Sequence, residues 1–406
     1  MTDSEELVYR LCTKSFVSLW SYPNPRGKKG NELCDILVVC EPDIIIFSVK
    51  EIAFKDTGDK VGWERWQRSA IEESCSQIAG AERWIEANPN VITKAGKPGL
   101  PFPAEPVVHR VAVALGSQGK VPMTFGDFGK GFVHVFDEES LSTLMEELDT
   151  ISDFVNYLGD KESFYRAGKL TLFDSGGEED LLALYLVCDR QFPEEPDLIV
   201  LEDGLWDHFN SDPAVLSRKK LNEISYYWDE IIEELYQTYL DSNLITDLPH
   251  TSDKLPDLEK AIRVMARENR FSRRLLSISL VDFLRNSQER RSKARVSDSP
   301  LLDARYVFLI SDYDSNRKAN LGELLGRCVV ARGLNQTKTK IIGLGVEFSK
   351  QVEGSATTAC YLEIDDWTDE WQQQMDYQQR EFGYFTKPQV KGLSEHEYPE
   401  GAANRG

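Results

Sequence analysis

Two carboxylates and an ammonium group stand close together in the stretch NELCDILVVCEPDIIIFSVKE, from Asn31 to Glu51. Glu32 and Asp35 precede one short apolar run, and Lys50 closes the next. If the two runs form a hairpin, the strands lie about 4.8 Å apart and run antiparallel, so the three side chains meet at one end of a sheet. Oxygen donors of this kind hold a hard divalent cation, which polarises a phosphoryl oxygen and activates water. A lysine beside them orients that water or stabilises the developing charge. The chemistry expected is hydrolysis of a phosphodiester. Arg26, Lys28 and Lys29 form a basic loop just upstream, placed to guide a phosphate backbone. Strand alternation puts Ser48 on the face of Lys50 and Val49 on the other. Glu73 and Gln77, one helical turn apart further on, share a face.

The elements that must position these groups follow from periodicity. Asp3 to Phe16 is expected as a helix with Asp3 or Ser4 as its N-cap and Glu5 and Glu6 in the first turn. The segment WSYPNPRGKKGNE is full of breakers and ends it. After the hairpin, a long helix is expected from Trp63 to about Ala87. Its Trp66, Ala70, Ile71, Ser74, Gln77, Ile78, Ala81 and Ile85 recur at three- and four-residue steps. Val107 to Leu115 is expected as a buried strand and Gly131 to Phe136 as another. Helix, strands, helix and strand make a compact α/β unit.

Asp35, fourteen intervening residues, Lys50 at the end of the next strand and Gln77 on the following helix, in that order of elements, resemble the PD-(D/E)XK nuclease superfamily, with its restriction-endonuclease-like fold. The resemblance covers the N-terminal third. It implies an endonuclease dependent on Mg²⁺ or Mn²⁺, with Asp35 as metal ligand, Lys50 as the catalytic cation and Gln77 orienting the site. It also implies nucleic acid as partner, DNA ahead of RNA, and a role in bacterial defence or DNA processing. The sequence departs from the family where an acid is usual two residues before the lysine, since Ser48 stands there. The second carboxylate then comes from Glu73 on the helix or from Glu32. A different class stays open beside the enzyme: a sensor or interaction protein that keeps a degenerate nuclease fold.

Beyond the first third, the chain is read as mixed α/β throughout. A nuclease-like domain over 1–137 is followed by a helical bridge over 138–173. A mostly helical region spans 174–300, an α/β unit 301–386, and a polar, disordered tail 387–406. A second basic region lies in the helical part, where Arg263, Arg267, Arg270 and Arg274 step by four, three and four along one expected helix. It is the clearest stripe for phosphate contacts, or else a set of arginines paired with acidic neighbours. The net charge of −21 excludes a generally basic coat, so polyanion binding has to come from local patches or a metal. Seven dispersed cysteines with no CxxC pair suit a reduced, cytoplasmic protein, and the acidic N-terminus lacks the features of a signal peptide. No apolar run is long enough for a membrane span. The five histidines show no HxxxH or HExxH spacing, and no GxGxxG or GxxxxGK[ST] loop occurs. A homodimer or a partner subunit is left open.

Overall fold

Breaker residues, apolar runs and capping side chains divide the chain into helices and strands of a mixed α/β protein. The computed structural model describes residues 1–55, 60–117, 125–174, 177–195, 197–240, 255–290, 293–312, 317–348, 355–386 and 395–398. Two units divide it, Met1–Leu216 and Ser217–Gly406. The segment read as a bridge belongs with the N-terminal sheet. Most of the tail expected to be disordered lies outside the described residues.

The first unit begins with α1 (Asp3–Phe16). Its N-cap is Thr2, not Asp3 or Ser4. The Thr2 hydroxyl accepts from the Glu5 N–H, and the Glu5 carboxylate accepts from the Thr2 N–H at 3.0 Å. This reciprocal box satisfies two backbone donors, which a cap one residue later would leave open. A short strand, β1 (Ser21–Pro23), lies within the breaker segment, where the sequence indicated only a loop. It pairs antiparallel with β2 (Ile36–Cys40) at the sheet edge, where a proline removes no needed donor.

The expected hairpin forms. β2 runs antiparallel to β3 (Asp43–Glu51), with Ile36 opposite Phe47. The helical stretch behind it comprises α2 (Lys60–Gln67), a π-helical turn (Arg68–Glu72) and α3 (Glu73–Glu86). A small ribbon, β4 (Asn90–Ile92) with β5 (Pro98–Pro101), leads to β6 (Val107–Leu115), which lies parallel to β3 with Lys50 beside Ala114. β7 (Gly126–Asp127) and β8 (Phe132–Phe136) complete the order β1-β2-β3-β6-β8-β7.

Both faces of this sheet are covered, which explains the continuous apolar runs of β2 and β3. Leu37, Val39, Ile44, Ile46, Ala112 and Ala114 pack with Ile71, Cys75, Ile78 and Ile85 of the α2–α3 side. On the other face lie α1, α4 (Glu138–Glu147) and α5 (Ile151–Arg166), with Phe16 and Phe154 in ring contact at 5.2 Å. Gly116 follows β6 at φ +85°, and a Cβ there would stand 2.8 Å from the Ile52 carbonyl oxygen. The residue is therefore what lets the ends of β3 and β6 run side by side. The unit continues through β9 (Leu170–Asp174), α6 (Glu178–Val187), β10 (Leu198–Glu202), parallel to β9, and α7 (Leu205–Ser211). The apolar run from Leu181 to Val187 lies within α6, with Cys188 as its C-cap.

The division between the units falls within α8 (Pro213–Asn222). The second unit then holds α9 (Tyr226–Leu240), α10 (Leu255–Ala266) and α11 (Arg270–Arg290). A four-stranded sheet follows, of β11 (Ala294–Asp298), β12 (Ala304–Asp312), β13 (Lys340–Phe348) and β14 (Ser355–Glu363), in sequence order. β12 and β13 are parallel and joined through α12 (Arg317–Leu334), a β-α-β arrangement inside the stretch 301–386 read from the sequence as an α/β unit. α12 packs on the sheet with α13 (Asp369–Phe382) against it.

Candidate active site

Asp35 and Lys50 come together at the end of the β2–β3 hairpin. Asp35 immediately precedes β2, and its backbone N–H donates to the Phe47 carbonyl at 3.2 Å. Its side chain turns along the strand, where Oδ2 accepts from the Val49 N–H at 2.6 Å. That bond fixes the carboxylate one residue from Lys50. Asp35 is only 3% exposed. Burial raises its pKa from the ordinary 3.8 to about 6; the Val49 N–H and the Lys50 charge pull it down, while the Glu32 carboxyl pushes it up. Lys50 itself is half-buried and makes no hydrogen bond or ion pair with any described residue. Its charge acts on Asp35, whose pKa it lowers.

Glu32 reaches Asp35 from the exposed loop before β2, within hydrogen-bonding distance of its carboxyl group. Two ionised carboxylates cannot hold such a contact unless a proton is shared or a cation lies between them. Asn24 supports Glu32. Held between two prolines, it donates from Nδ2 to Glu32 Oε2 at 3.2 Å and to Glu5 Oε2 at 3.4 Å. Its backbone N–H donates to the Asp35 carbonyl at 2.8 Å. One amide thus ties α1, the loop and the hairpin at the same sheet end. Glu5 and Asn24 were not singled out from the sequence. The capping-box spacing of Thr2 and Glu5 gives Glu5 a complete local explanation, and an Asn between prolines reads as a turn.

The other proposed residues divide. Ser48, two residues before Lys50, is fully buried and donates to Gln77 Oε1 at 2.7 Å. Gln77 therefore does face the hairpin from α3. Glu73, one turn earlier, is exposed, and no bond or ion pair links it to Asp35 among the described residues. Of the two carboxylates the sequence offered as second ligand, Glu32 is the one beside Asp35. The π-helical turn just before Glu73 breaks the regular phase of the helix, so sequence spacing alone does not fix where that side chain stands. Lys28 and Lys29 are exposed at the tip of a 3₁₀ turn (Lys28–Gly30), and Arg26 Nε donates to the Lys94 carbonyl at 2.8 Å.

Among the described residues no group of three or more His, Cys, Asp or Glu side chains is placed to hold a metal ion. Asp35 with Glu32 makes a two-carboxylate set. This fits a hard cation such as Mg²⁺, which takes one or two carboxylates and completes its shell with water and phosphate oxygens. His109 lies elsewhere, bonded through Nε2 to Asp43 at 2.7 Å at the opposite end of β3. His134 is buried between Phe132 and Phe136.

The arginine stripe is not one helical face. α10 ends at Ala266 and α11 starts at Arg270, where the Asn269 side chain accepts from the Ser272 N–H at 2.8 Å and begins a new helix. Arg270, 5% exposed, bonds Asp229 at 2.8 Å and lies over the Tyr226 ring. Arg274 is fully buried. Arg263 stands 3.7 Å from Glu259, and Arg267 lies in the turn between the helices. The alternative of arginines engaged with their own unit thus describes Arg270 and Arg274.

No helix of the described residues is long and apolar enough to cross a membrane. No protein-family model matches the chain, and no curated protein or solved structure does either.

Proposed function

We propose that the first unit is a metal-dependent phosphodiesterase, an endonuclease acting on DNA in preference to RNA. The observation that carries the proposal is the meeting of Asp35, Glu32 and Lys50 at one sheet end, with the buried Asp35 carboxylate aligned by the Val49 N–H. Asp35 and Glu32 would hold Mg²⁺ or Mn²⁺, which when bound supplies Lewis acidity toward a phosphoryl oxygen. Lys50 contributes a cation beside the carboxylates that orients the attacking water and offsets charge gained by the phosphate oxygens. The Ser48–Gln77 bond fixes the amide of Gln77 against the hairpin, so that it orients the site at little entropic cost. The exposed Lys28 and Lys29 present positive charge to an approaching backbone. Defence or DNA processing is the setting that the family resemblance suggests, and a cytoplasmic location agrees with the reduced cysteines.

A non-catalytic relative of the same fold is favoured by one observation, Ser48 in the usual acidic position. Calorimetric titration with Mn²⁺ separates the two readings. The enzyme binds the ion, and Asp35→Asn loses it; a protein with no specific Mn²⁺ uptake would be the non-catalytic form.

A further inference from the structure

In the second unit, two buried arginines grip a four-residue segment far along the chain. Arg274, on α11, donates from Nη2 to the His396 carbonyl at 2.6 Å and from Nη1 to the Glu397 carbonyl at 3.2 Å. Nη1 also reaches Asn222 Oδ1 at 3.1 Å. Arg218, on α8 and 2% exposed, stands 3.5 Å from Glu397 Oε1 and lies over the Tyr398 ring at 5.3 Å. Segment Glu395–Tyr398 therefore sits on these guanidinium groups as an acidic cover.

The cover fits the charge but not the hydrogen bonding. Both strong bonds of Arg274 to the segment end on neutral carbonyls. Its Nε has no hydrogen-bond partner although it is buried, and the nearest carboxylate oxygen, on Glu395, lies 3.7 Å away. A guanidinium bonds best to charged oxygens arranged to meet its planar fork. Desolvation lowers the Arg274 pKa, Glu395 and Glu397 raise it, and Arg218 lowers it again, so the two arginines repel each other and share an anionic counterweight. A single tetrahedral oxyanion would supply charged acceptors to both arginines and to the open Nε.

We propose that Arg218, Asn222 and Arg274 form a binding site for a phosphate group, and that Glu395–Tyr398 is an acidic segment of the same chain that occupies the site until phosphate displaces it. The phosphate belongs either to a free ion or to a nucleic-acid backbone. The proposal is independent of the nuclease reading, since it concerns the second unit and is tested without cleavage.

The test uses the full chain, the Glu395→Gln/Glu397→Gln double variant and Arg274→Lys, in EDTA. Both glutamates are partly exposed, at 34% and 25%, and glutamine keeps their shape, so the double variant should fold as the parent does. Binding of inorganic phosphate and of a short single-stranded oligonucleotide is measured by calorimetry, with amide hydrogen exchange over 395–398 followed in parallel. A tethered competitor acts at high effective concentration, so weakening it should tighten phosphate binding by about tenfold. In the parent, phosphate should accelerate exchange across 395–398, and Arg274→Lys should bind at least about tenfold more weakly, having lost the fork. Binding of the oligonucleotide alone identifies a backbone phosphate, whereas binding of inorganic phosphate alone identifies the free ion. Equal affinity in the parent and the double variant, binding of neither probe by any of the three proteins, or phosphate bound with unchanged exchange at 395–398 would each overturn the proposal.

Discussion

Replacing Asp35 by Asn should stabilise the first unit at neutral pH when no divalent cation is present. The carboxyl is almost fully buried, and its folded-state pKa is about 6 against an ordinary 3.8. The native state therefore holds a proton that the unfolded state has already released between these values. Stability from the neutral carboxyl is complete below about pH 3.8 and lost as pH rises through about 6. The difference of about two units corresponds to about 3 kcal/mol at pH 8. Asn keeps an oxygen for the Val49 N–H and can donate to Glu32, so Asp35→Asn should recover about 1–3 kcal/mol of that loss at pH 8 and nothing at pH 4. Native-state amide exchange of β2 and β3 in EDTA, under increasing urea, reads this locally. Added Mg²⁺ should reverse the order, because only the parent gains from the ion. If Asp35→Asn is less stable than the parent at pH 8 in EDTA, or if the gap does not change between pH 4 and pH 8, the assignment of a strained, cation-seeking carboxylate is wrong.

The hairpin was legible because β2 and β3 are buried on both faces and so are apolar almost without interruption, bounded by charged residues. β1 was not, since Pro23 and Pro25 signal a loop and only edge pairing makes a strand of it. The Asp35–Lys50 pair could be read from spacing, because a hairpin brings its open ends together whatever its side chains. Which acid completes it could not: Glu32 and Glu73 are equally plausible in sequence, and only three-dimensional placement brings Glu32 to Asp35. Asn24, which joins Glu5 to Glu32, depends on contacts between segments that sequence does not pair. The arginine stripe misled because Glu268 and Asn269 are ordinary helix residues by periodicity. Glu268 is instead fully buried, accepting from the Tyr306 hydroxyl at 2.9 Å, with its pKa raised to about 7 chiefly by burial.

Mn²⁺ affinity of the first unit should rise with pH and level off above about 6, as Asp35 gives up its proton; calorimetry at pH 5 and pH 8 checks this, and a flat profile argues against Asp35 as ligand. Lys161→Met should cost about 3–5 kcal/mol, because it leaves Glu178 buried with only the Tyr157 hydroxyl; urea unfolding measures the loss. Gly116→Ala should cost about 1–3 kcal/mol, from the positive φ and the clash with the Ile52 carbonyl, and an unchanged unfolding midpoint would show that the strand ends can move apart. Ser48→Ala should cost about 1 kcal/mol in stability through the lost bond to Gln77, and in a cleavage assay should lower the rate less than changes at Asp35 or Lys50.

The most direct measurement is the rate of DNA cleavage by the parent, Asp35→Asn and Lys50→Ala, on plasmid, linear and single-stranded substrates with Mg²⁺ or Mn²⁺. The parent should cut in the presence of the ion and not in EDTA. Each variant should be slower by about a hundredfold or more while remaining folded. Equal rates in all three proteins, or no cleavage by the parent on any substrate with either ion, would contradict a catalytic centre at Asp35 and Lys50.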